Sequence, residues 1–152
     1  MLEDAEPSVR IAALRVIADN RIMVASGQLA LIAKDEAFDD LLVAARRAVL
    51  VTLAVLLPAR AEAICLEHVE KAALLPRASR EETRELAAEL LGDITLSPEA
   101  EAALLAVGER KWRNTERLRA VALQAAQRIA RRRAHAEGRE LPVPTPNGGG
   151  PR

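Results

Sequence analysis

The sequence predicts an all-α solenoid in which helical hairpins stack side by side, and three observations indicate this fold. A motif of small apolar residues around an arginine occurs four times, centred on Arg10, Arg46, Arg84 and Arg119. The steps between these arginines are 36, 38 and 35 residues, a near-constant period that is typical of helical repeat arrays. Half of the residues are apolar but only 1% are aromatic, so Ala, Leu, Val and Ile must build the core, and Ala and Leu are strong helix formers.

Prolines predict where several of the helices begin. Pro7, Pro58 and Pro98 each stand where an apolar helical pattern starts, and proline is favoured in the first turn because its missing N–H group would be unpaired there anyway. With the polar breaks between them, these signals predict seven helices, over residues 8–19, 22–34, 40–57, 59–75, 79–91, 98–107 and 115–136.

Cap signals predict the remaining helix ends. Ser79 and Glu82 have the spacing of a capping box, in which each side chain accepts a hydrogen bond from an unpaired backbone N–H group. Gly92 is a predicted C-terminal stop, and Asn114 or Thr115 is the predicted N-cap of the seventh helix. The third helix is apolar on most sides and is expected in the middle of the stack.

The chain divides into a repeat domain and a tail. We expect the helical domain over residues 1–137, and the Pro/Gly-rich residues 138–152 are expected to be disordered because they cannot bury a core.

Residues 4–14, DAEPSVRIAAL, resemble the second helix of a HEAT repeat, in which a turn aspartate and often a proline precede Val-Arg and small apolar residues. The four copies extend the resemblance over roughly residues 4–133, and it implies a right-handed α-solenoid. In HEAT proteins each arginine reaches the turn aspartate of a neighbouring repeat. The resemblance therefore implies a structural ladder, whose candidate members are Asp4, Arg10, Asp40, Arg46, Arg84 and Arg119. In the third and fourth copies Ala78 and Arg113 replace the aspartate.

By the same resemblance, the inner surface of the array is expected to bind a partner. The positions one and five residues after the repeat arginines alternate in charge and polarity, which suits a protein partner of mixed chemistry better than a polyanion. The candidate partner-binding residues are Arg15, Arg47, Glu85, Glu89, Gln124 and, as a possible hot spot, Trp112. For Trp112 we favour the alternative that it packs between two hairpins.

The first helix has no hairpin partner before it if the arginine helices are the second members of each pair. Arrays end in polar capping repeats, so the first two helices are expected to expose apolar surface. We expect this chain to be the C-terminal part of a longer array, or to bury this end on a partner, which includes a second copy of itself.

No catalytic or metal-binding constellation is evident in the sequence. Cys65 and His68 are three residues apart on one helix, but the only other histidine, His135, is far along the chain, and zinc generally takes four ligands. A buried cysteine and a surface histidine are the favoured interpretation. We therefore expect no enzymatic activity, no metal and no cofactor.

Charge and cysteine usage limit the partners and the compartment. The 22 basic and 22 acidic residues cancel, so no overall field attracts nucleic acid or an anionic membrane. The longest apolar run, residues 48–57, is about half of the roughly 20 residues that a membrane span requires. One cysteine and the lack of a signal-peptide pattern at the N-terminus are typical of a cytoplasmic protein.

The preferred function is a non-catalytic scaffold or adaptor that binds another protein. The alternative is a nucleic-acid-associated module that uses the segment Arg128–Arg139, where five arginines accompany one glutamate. Against it, the chain has one Trp, one Phe and no Tyr, so it offers few rings on which bases could stack.

Overall fold

The computed structural model describes residues 6–75 and 77–138, and these residues form helices and connecting turns without any β-strand. The prediction of an all-α protein is confirmed. Asp4 and the predicted tail from residue 139 onward lie outside the described residues. The helices are α1 Pro7–Asp19, α2 Ser26–Lys34, α3 Val43–Leu56, α4 Pro58–Glu70, α5 Ala78–Ile94, α6 Pro98–Glu109 and α7 Glu116–Ala136.

The helices contact one another in two series. In the odd series α1 packs on α3, α3 on α5 and α5 on α7, whereas in the even series α2 packs on α4 and α4 on α6. Helices of the two series also contact each other, as in the pairs α2–α3, α3–α4, α4–α5 and α6–α7. All four repeat arginines lie on the odd series, so the helices that carry the arginine motif are neighbours in space.

One continuous core lies between the two series. Its fully buried large side chains come from all seven helices and include Leu14, Leu29, Leu50, Leu53, Val69, Leu91, Leu104, Leu118 and Ile129. Alanines such as Ala30, Ala61, Ala87 and Ala125 fill the positions between them, which lets helix axes approach closely. Each fully buried Leu, Ile or Val side chain contributes about 1.5–3 kcal/mol to folding.

Several predicted helix starts are confirmed. Pro7, Pro58 and Pro98 are the first residues of α1, α4 and α6. Thr115 caps α7, because its side chain accepts a 3.1 Å hydrogen bond from the Leu118 N–H group.

Two further predicted helices begin later than expected because short 3-10 turns precede them. Met23–Ala25 forms one such turn before α2, and Glu36–Asp40 forms another before α3. The side chain of Asp35 accepts a 2.8 Å hydrogen bond from the Ala37 N–H group. This bond starts a 3-10 turn that extends to Asp40, the residue at which the sequence predicted the beginning of α3.

The predicted capping box at Ser79 is wrong. α5 already begins at Ala78, and its N-cap, Arg77, makes no side-chain capping bond. Ser79 lies inside the helix. The capping box does not form, and the carboxylate of Glu82 accepts a hydrogen bond from Arg46 of α3 instead of a backbone N–H group of α5.

The predicted helix stop at Gly92 is also wrong, since α5 continues to Ile94. A Cβ atom at Gly92 would lie 2.6 Å from Arg128 Nη2 and 3.0 Å from the Ala125 Cα atom. Glycine is needed here because α5 and α7 approach each other closely.

The fourth helix ends at Glu70, five residues before the predicted end. The Val69 carbonyl accepts hydrogen bonds from Arg84 Nε and Nη2, at 3.1 and 3.0 Å. This carbonyl would otherwise accept the N–H group one helical turn later, so a repeat arginine marks where α4 stops.

Candidate functional site

Arg46 on α3 is buried, with 2% of its surface exposed, and its guanidinium crosses to the start of α5. There Nη1 donates to the Ser79 carbonyl at 2.8 Å and to Thr83 Oγ1 at 2.6 Å, and Nη2 donates to Glu82 Oε2 at 2.8 Å. Its Nε group donates to Leu41 O at 2.9 Å. The acidic group that Arg46 meets in the next repeat is therefore a glutamate one turn into the helix rather than a turn aspartate.

Arg84 on α5 is 1% exposed and makes the equivalent crossing toward α7. Nη1 donates to the Arg113 carbonyl at 3.1 Å, and Nη2 donates to Asn114 Oδ1 at 2.7 Å. Asn114 in turn donates to the Val107 and Arg110 carbonyls, both at 3.1 Å. The side-chain amide of Asn114 thus occupies the place that a turn aspartate would have.

The two ends of the predicted ladder differ from its centre. Arg119 Nε donates to the Gly108 carbonyl at 2.9 Å, so it binds the preceding α6. Arg10 is partly buried and lines a groove beside α2, and Asp40 is exposed at the end of the 3-10 turn. Among the repeat arginines, Arg46 and Arg84 therefore contact the next repeat, and their contacts help to set the register of α3, α5 and α7.

Three of the candidate partner-binding residues, Arg47, Glu85 and Glu89, form ion pairs between helices of the odd series. Arg47 pairs with Glu89 at 2.8 Å and joins α3 to α5, and Glu85 pairs with Arg117 at 3.0 Å and joins α5 to α7. Burial raises the pKa of Glu85, and the Arg117 guanidinium acts in the opposite direction. Since these charges are paired within the chain, this face carries no single-sign groove.

The remaining candidates on the odd series, Arg15 and Gln124, are exposed on α1 and α7. Trp112 lies in the turn between α6 and α7 with 69% of its surface exposed. The preferred interpretation of Trp112 as a packing residue between hairpins is therefore wrong.

An apolar groove, which we call the edge groove, lies between α1, α2 and α3. Its volume is about 720 Å³, and its lining includes Leu14, Leu29, Leu31, Ile32, Phe38, Leu41 and Val49, with Arg10, Gln28 and Asp35 as polar members. α1, α2 and the turn between them also expose large apolar side chains. Their exposed fractions are between 49% and 90%, and the residues are Val9, Val16, Met23, Val24 and Leu31. The expected exposure of apolar surface on the first two helices is thus observed.

The basic segment at the end of α7 is largely committed to contacts within the chain. Arg128 Nη2 donates to the Glu89 carbonyl at 2.8 Å, and Arg132 Nη1 donates to the Gly92 carbonyl at 3.0 Å. Arg133 pairs with Glu101 of α6. Arg131 is exposed, and Arg139 lies outside the described residues. Three of the four described arginines therefore hold α7 against its neighbours.

Cys65 and His68 do not form a reactive pair. Cys65 is fully buried, and burial, with a contribution from Glu62, raises the pKa of its thiol to about 12, which disfavours the nucleophilic thiolate. His68 is 8% exposed, so its predicted position on the surface is wrong. Across the part of the chain that the structure describes, no three His, Cys, Asp or Glu side chains are placed to hold a metal ion.

Both ring nitrogens of His68 have partners, and these partners define its protonation. Nε2 lies 2.7 Å from the Ala33 carbonyl, which only accepts, and Nδ1 lies 3.1 Å from Arg80 Nη1, which only donates. The ring is therefore neutral, with its hydrogen on Nε2. It stacks on Phe38 at 5.4 Å between centroids, and Arg80 also meets Asp39 at 3.4 Å.

Sequence reasoning missed this polar cluster, because its members come from α2, the following 3-10 turn, α4 and α5. A cleft of about 350 Å³ lies beside it, and its charged lining consists of Lys34, Lys71, Arg77, Arg80, Asp35, Glu36, Asp39 and Glu67. Basic and acidic groups are equal in number there, so the cleft has no strong preference for an ion of either sign.

Comparisons with protein-family models, with curated proteins and with solved structures found no match for this chain. None of the described helices has the length and apolar character needed to cross a membrane.

Proposed function

We propose that this chain is a non-catalytic protein-interaction module built from HEAT-like repeats in a right-handed α-solenoid. The contacts of the odd series support this arrangement, since equivalent helices of successive repeats pack together. The crossings of Arg46 and Arg84 to the next repeat support it further, because both arginines bind the turn or the first helical turn that follows.

The observation that carries the interaction function is the edge groove with its exposed rim. Leu31, which lines the groove, is 66% exposed, and Val24, in the turn that leads into α2, is 90% exposed. Exposed apolar surface of this kind is typical of protein interaction sites. A groove between helices suits the apolar face of an amphipathic helix. We therefore propose that an amphipathic helix of a partner protein occupies the edge groove.

Binding of an apolar helix face in the edge groove is energetically more favourable than leaving the groove exposed to water. Burying apolar surface contributes about 25 cal/mol per Å², and Leu31 and Val24 are already held on a formed helix and turn, which lowers the entropy cost of binding. Arg10, Gln28 and Asp35 at the groove provide the polar groups that fix the orientation of a bound helix.

The experiment compares Leu31→Glu with Leu105→Glu, because Leu105 is a partly exposed leucine on α6, away from the edge groove. A photo-reactive amino acid replaces Val24 in both variants and in the parent chain, and crosslinked partners are identified from source cells. We expect one crosslinked protein with the parent chain and with Leu105→Glu, and its loss with Leu31→Glu. The partner's helix, as a synthetic peptide, should then bind the parent chain in solution.

Light scattering over a range of concentrations distinguishes a second copy from a different partner. If the parent chain forms a dimer and Leu31→Glu dissociates it, the occupant of the edge groove is a second copy of this chain rather than a helix of another protein. A monomer that binds no hydrophobic dye and whose crosslinks are the same in both variants would overturn the proposal.

A further inference from the structure

The turn between α6 and α7 displays an exposed tryptophan in a rigid setting. Trp112 is the single tryptophan of the chain and is 69% exposed. The guanidinium carbon of Arg113 lies 4.0 Å from the centre of its ring. One ring face is thus covered by a cation, while most of the residue's surface remains exposed to solvent.

The backbone of this turn is held in an unusual conformation. Arg113 has a φ of 62°, in the left-handed region that non-glycine residues seldom adopt. The buried Arg84 donates to the Arg113 carbonyl and to the neighbouring Asn114 side chain, and Asn114 donates back to the carbonyls of Val107 and Arg110. Strained residues persist where the surroundings hold them in place, and they cluster at ligand-binding positions.

The charge around Trp112 is positive although the whole chain is neutral. Residues 109–119 contain five basic and two acidic residues. Arg117 pairs with Glu85, and Arg119 binds the Gly108 carbonyl, but Arg110, Lys111 and Arg113 are exposed. Three exposed cations therefore lie within two residues of the exposed indole ring in the sequence, and one of them, Arg113, covers a face of the ring.

We propose that this turn, Arg110–Arg113, is a second docking point, which binds an acidic polypeptide segment with an apolar side chain. Tryptophan and arginine are the residues most enriched among binding hot spots. The open ring face takes the apolar side chain, and the three cations take the carboxylates. The stacked guanidinium of Arg113 keeps its N–H edge available for a bidentate carboxylate contact.

A protein ligand fits this surface better than a nucleic acid. Binding of single strands uses several aromatic rings on which successive bases stack, and Trp112 is one ring. Glu109 and Glu116 flank the turn and are exposed, so they would repel a continuous phosphate backbone. An acidic peptide can place its carboxylates between these two groups.

The test measures the fluorescence of Trp112 during titration with a synthetic peptide of alternating Glu and Leu residues. A Lys/Leu peptide of the same length and a single-stranded oligothymidylate serve as comparison ligands. We expect the acidic peptide to shift the emission in a saturable manner and to bind less tightly in high salt. We expect the two comparison ligands to leave the emission unchanged.

Variants are compared by anisotropy of a labelled acidic peptide, because Trp112→Ala removes the intrinsic signal. We expect Trp112→Ala and Arg113→Gly to weaken binding by about tenfold or more, as hot-spot losses do. Glycine at position 113 accommodates the positive φ, so that loss reports on the guanidinium. Arg60→Ala, which removes an exposed cation from α4, should have no effect.

Leu31→Glu should also leave peptide binding intact, which separates this docking point from the edge groove. The proposal is overturned if the acidic peptide does not bind, or if it binds Trp112→Ala as tightly as the parent chain. It is also overturned if the oligothymidylate binds in a Trp112-dependent manner, since the turn would then be a nucleic-acid site.

Discussion

Arg46 and Thr83 are joined by a 2.6 Å hydrogen bond from the guanidinium Nη1 to the threonine hydroxyl, and both residues are buried. They are 37 positions apart in the sequence, so the bond links equivalent helices of two successive repeats. The Thr83 hydroxyl accepts this bond and itself donates to the Ser79 carbonyl at 3.1 Å, so the two hydrogen bonds form a chain. A buried guanidinium is costly unless its N–H groups are paired, and this bond is part of that compensation.

Arg46 and its neighbour Arg47 form a matched pair for mutation. Arg46 makes four hydrogen bonds from a buried position, whereas Arg47 makes one ion pair with a side chain that is 46% exposed. We expect Arg46→Ala to lower the free energy of unfolding by about 3–5 kcal/mol and Arg47→Ala to lower it by less than about 1 kcal/mol. Urea unfolding followed by circular dichroism measures both, and equal losses would contradict the role of Arg46 between repeats.

Two of the helical glycines, Gly92 and Gly27, should respond oppositely to alanine. At Gly92 the new Cβ atom meets Arg128 and Ala125 of α7, whereas at Gly27 nothing lies within 4 Å. We expect Gly27→Ala to stabilise the protein by about 0.5–1 kcal/mol through helix propensity. Gly92→Ala should destabilise it by about 1–3 kcal/mol through overpacking. Thermal unfolding measures both changes, and a stabilised Gly92→Ala variant would show that α5 and α7 can separate without cost.

Stability should depend on pH through His68. Burial lowers the pKa of His68 below 6.5, and the Arg80 guanidinium acts in the same direction, whereas the Ala33 carbonyl, Asp39 and Glu67 act to raise it. The unfolded chain therefore takes up the proton first as the pH falls. This contribution to stability is complete above about pH 6.5 and is lost progressively below it, toward the lowered pKa.

The measurement is the free energy of unfolding in urea from neutral pH down to about pH 5, for the parent chain and for His68→Gln. We expect the variant to have a smaller slope over this range. Burial raises the pKa of Glu85, so the folded chain takes up this proton more readily than the unfolded chain and the contribution of Glu85 has the opposite sign. Glu85→Gln serves as the control. Identical slopes for the parent chain and His68→Gln would rule out the buried neutral imidazole.

The Cys65 thiol should be unreactive in the folded protein. Its pKa of about 12 leaves almost no thiolate at neutral pH, and the side chain is fully buried. We expect a thiol reagent to label native protein only at the rate of unfolding, and to label protein in urea rapidly. Since Cys65 is the single cysteine, the signal is unambiguous. Rapid labelling of the native chain would contradict the burial of the thiol and would make Cys65 a candidate nucleophile.

The sequence by itself determined the features that depend on local chemistry. Proline at Pro7, Pro58 and Pro98 starts helices because its fixed φ and missing N–H group suit a first turn wherever the helix lies. Thr115 caps α7 for a similarly local reason. The period of the arginine motif also predicted that the helices carrying it are neighbours, and α1, α3, α5 and α7 do contact one another in that order.

Only the tertiary structure decided the features that depend on residues distant in the sequence. Arg84 ends α4 by binding the Val69 carbonyl, and it also holds Arg113 in the left-handed turn that exposes Trp112. His68 is buried because Phe38, Ala33 and Arg80 arrive from other elements. No local sequence pattern specifies these contacts. A long side chain such as arginine can donate to any unpaired backbone carbonyl that lies within its reach, and helix packing decides which carbonyl that is.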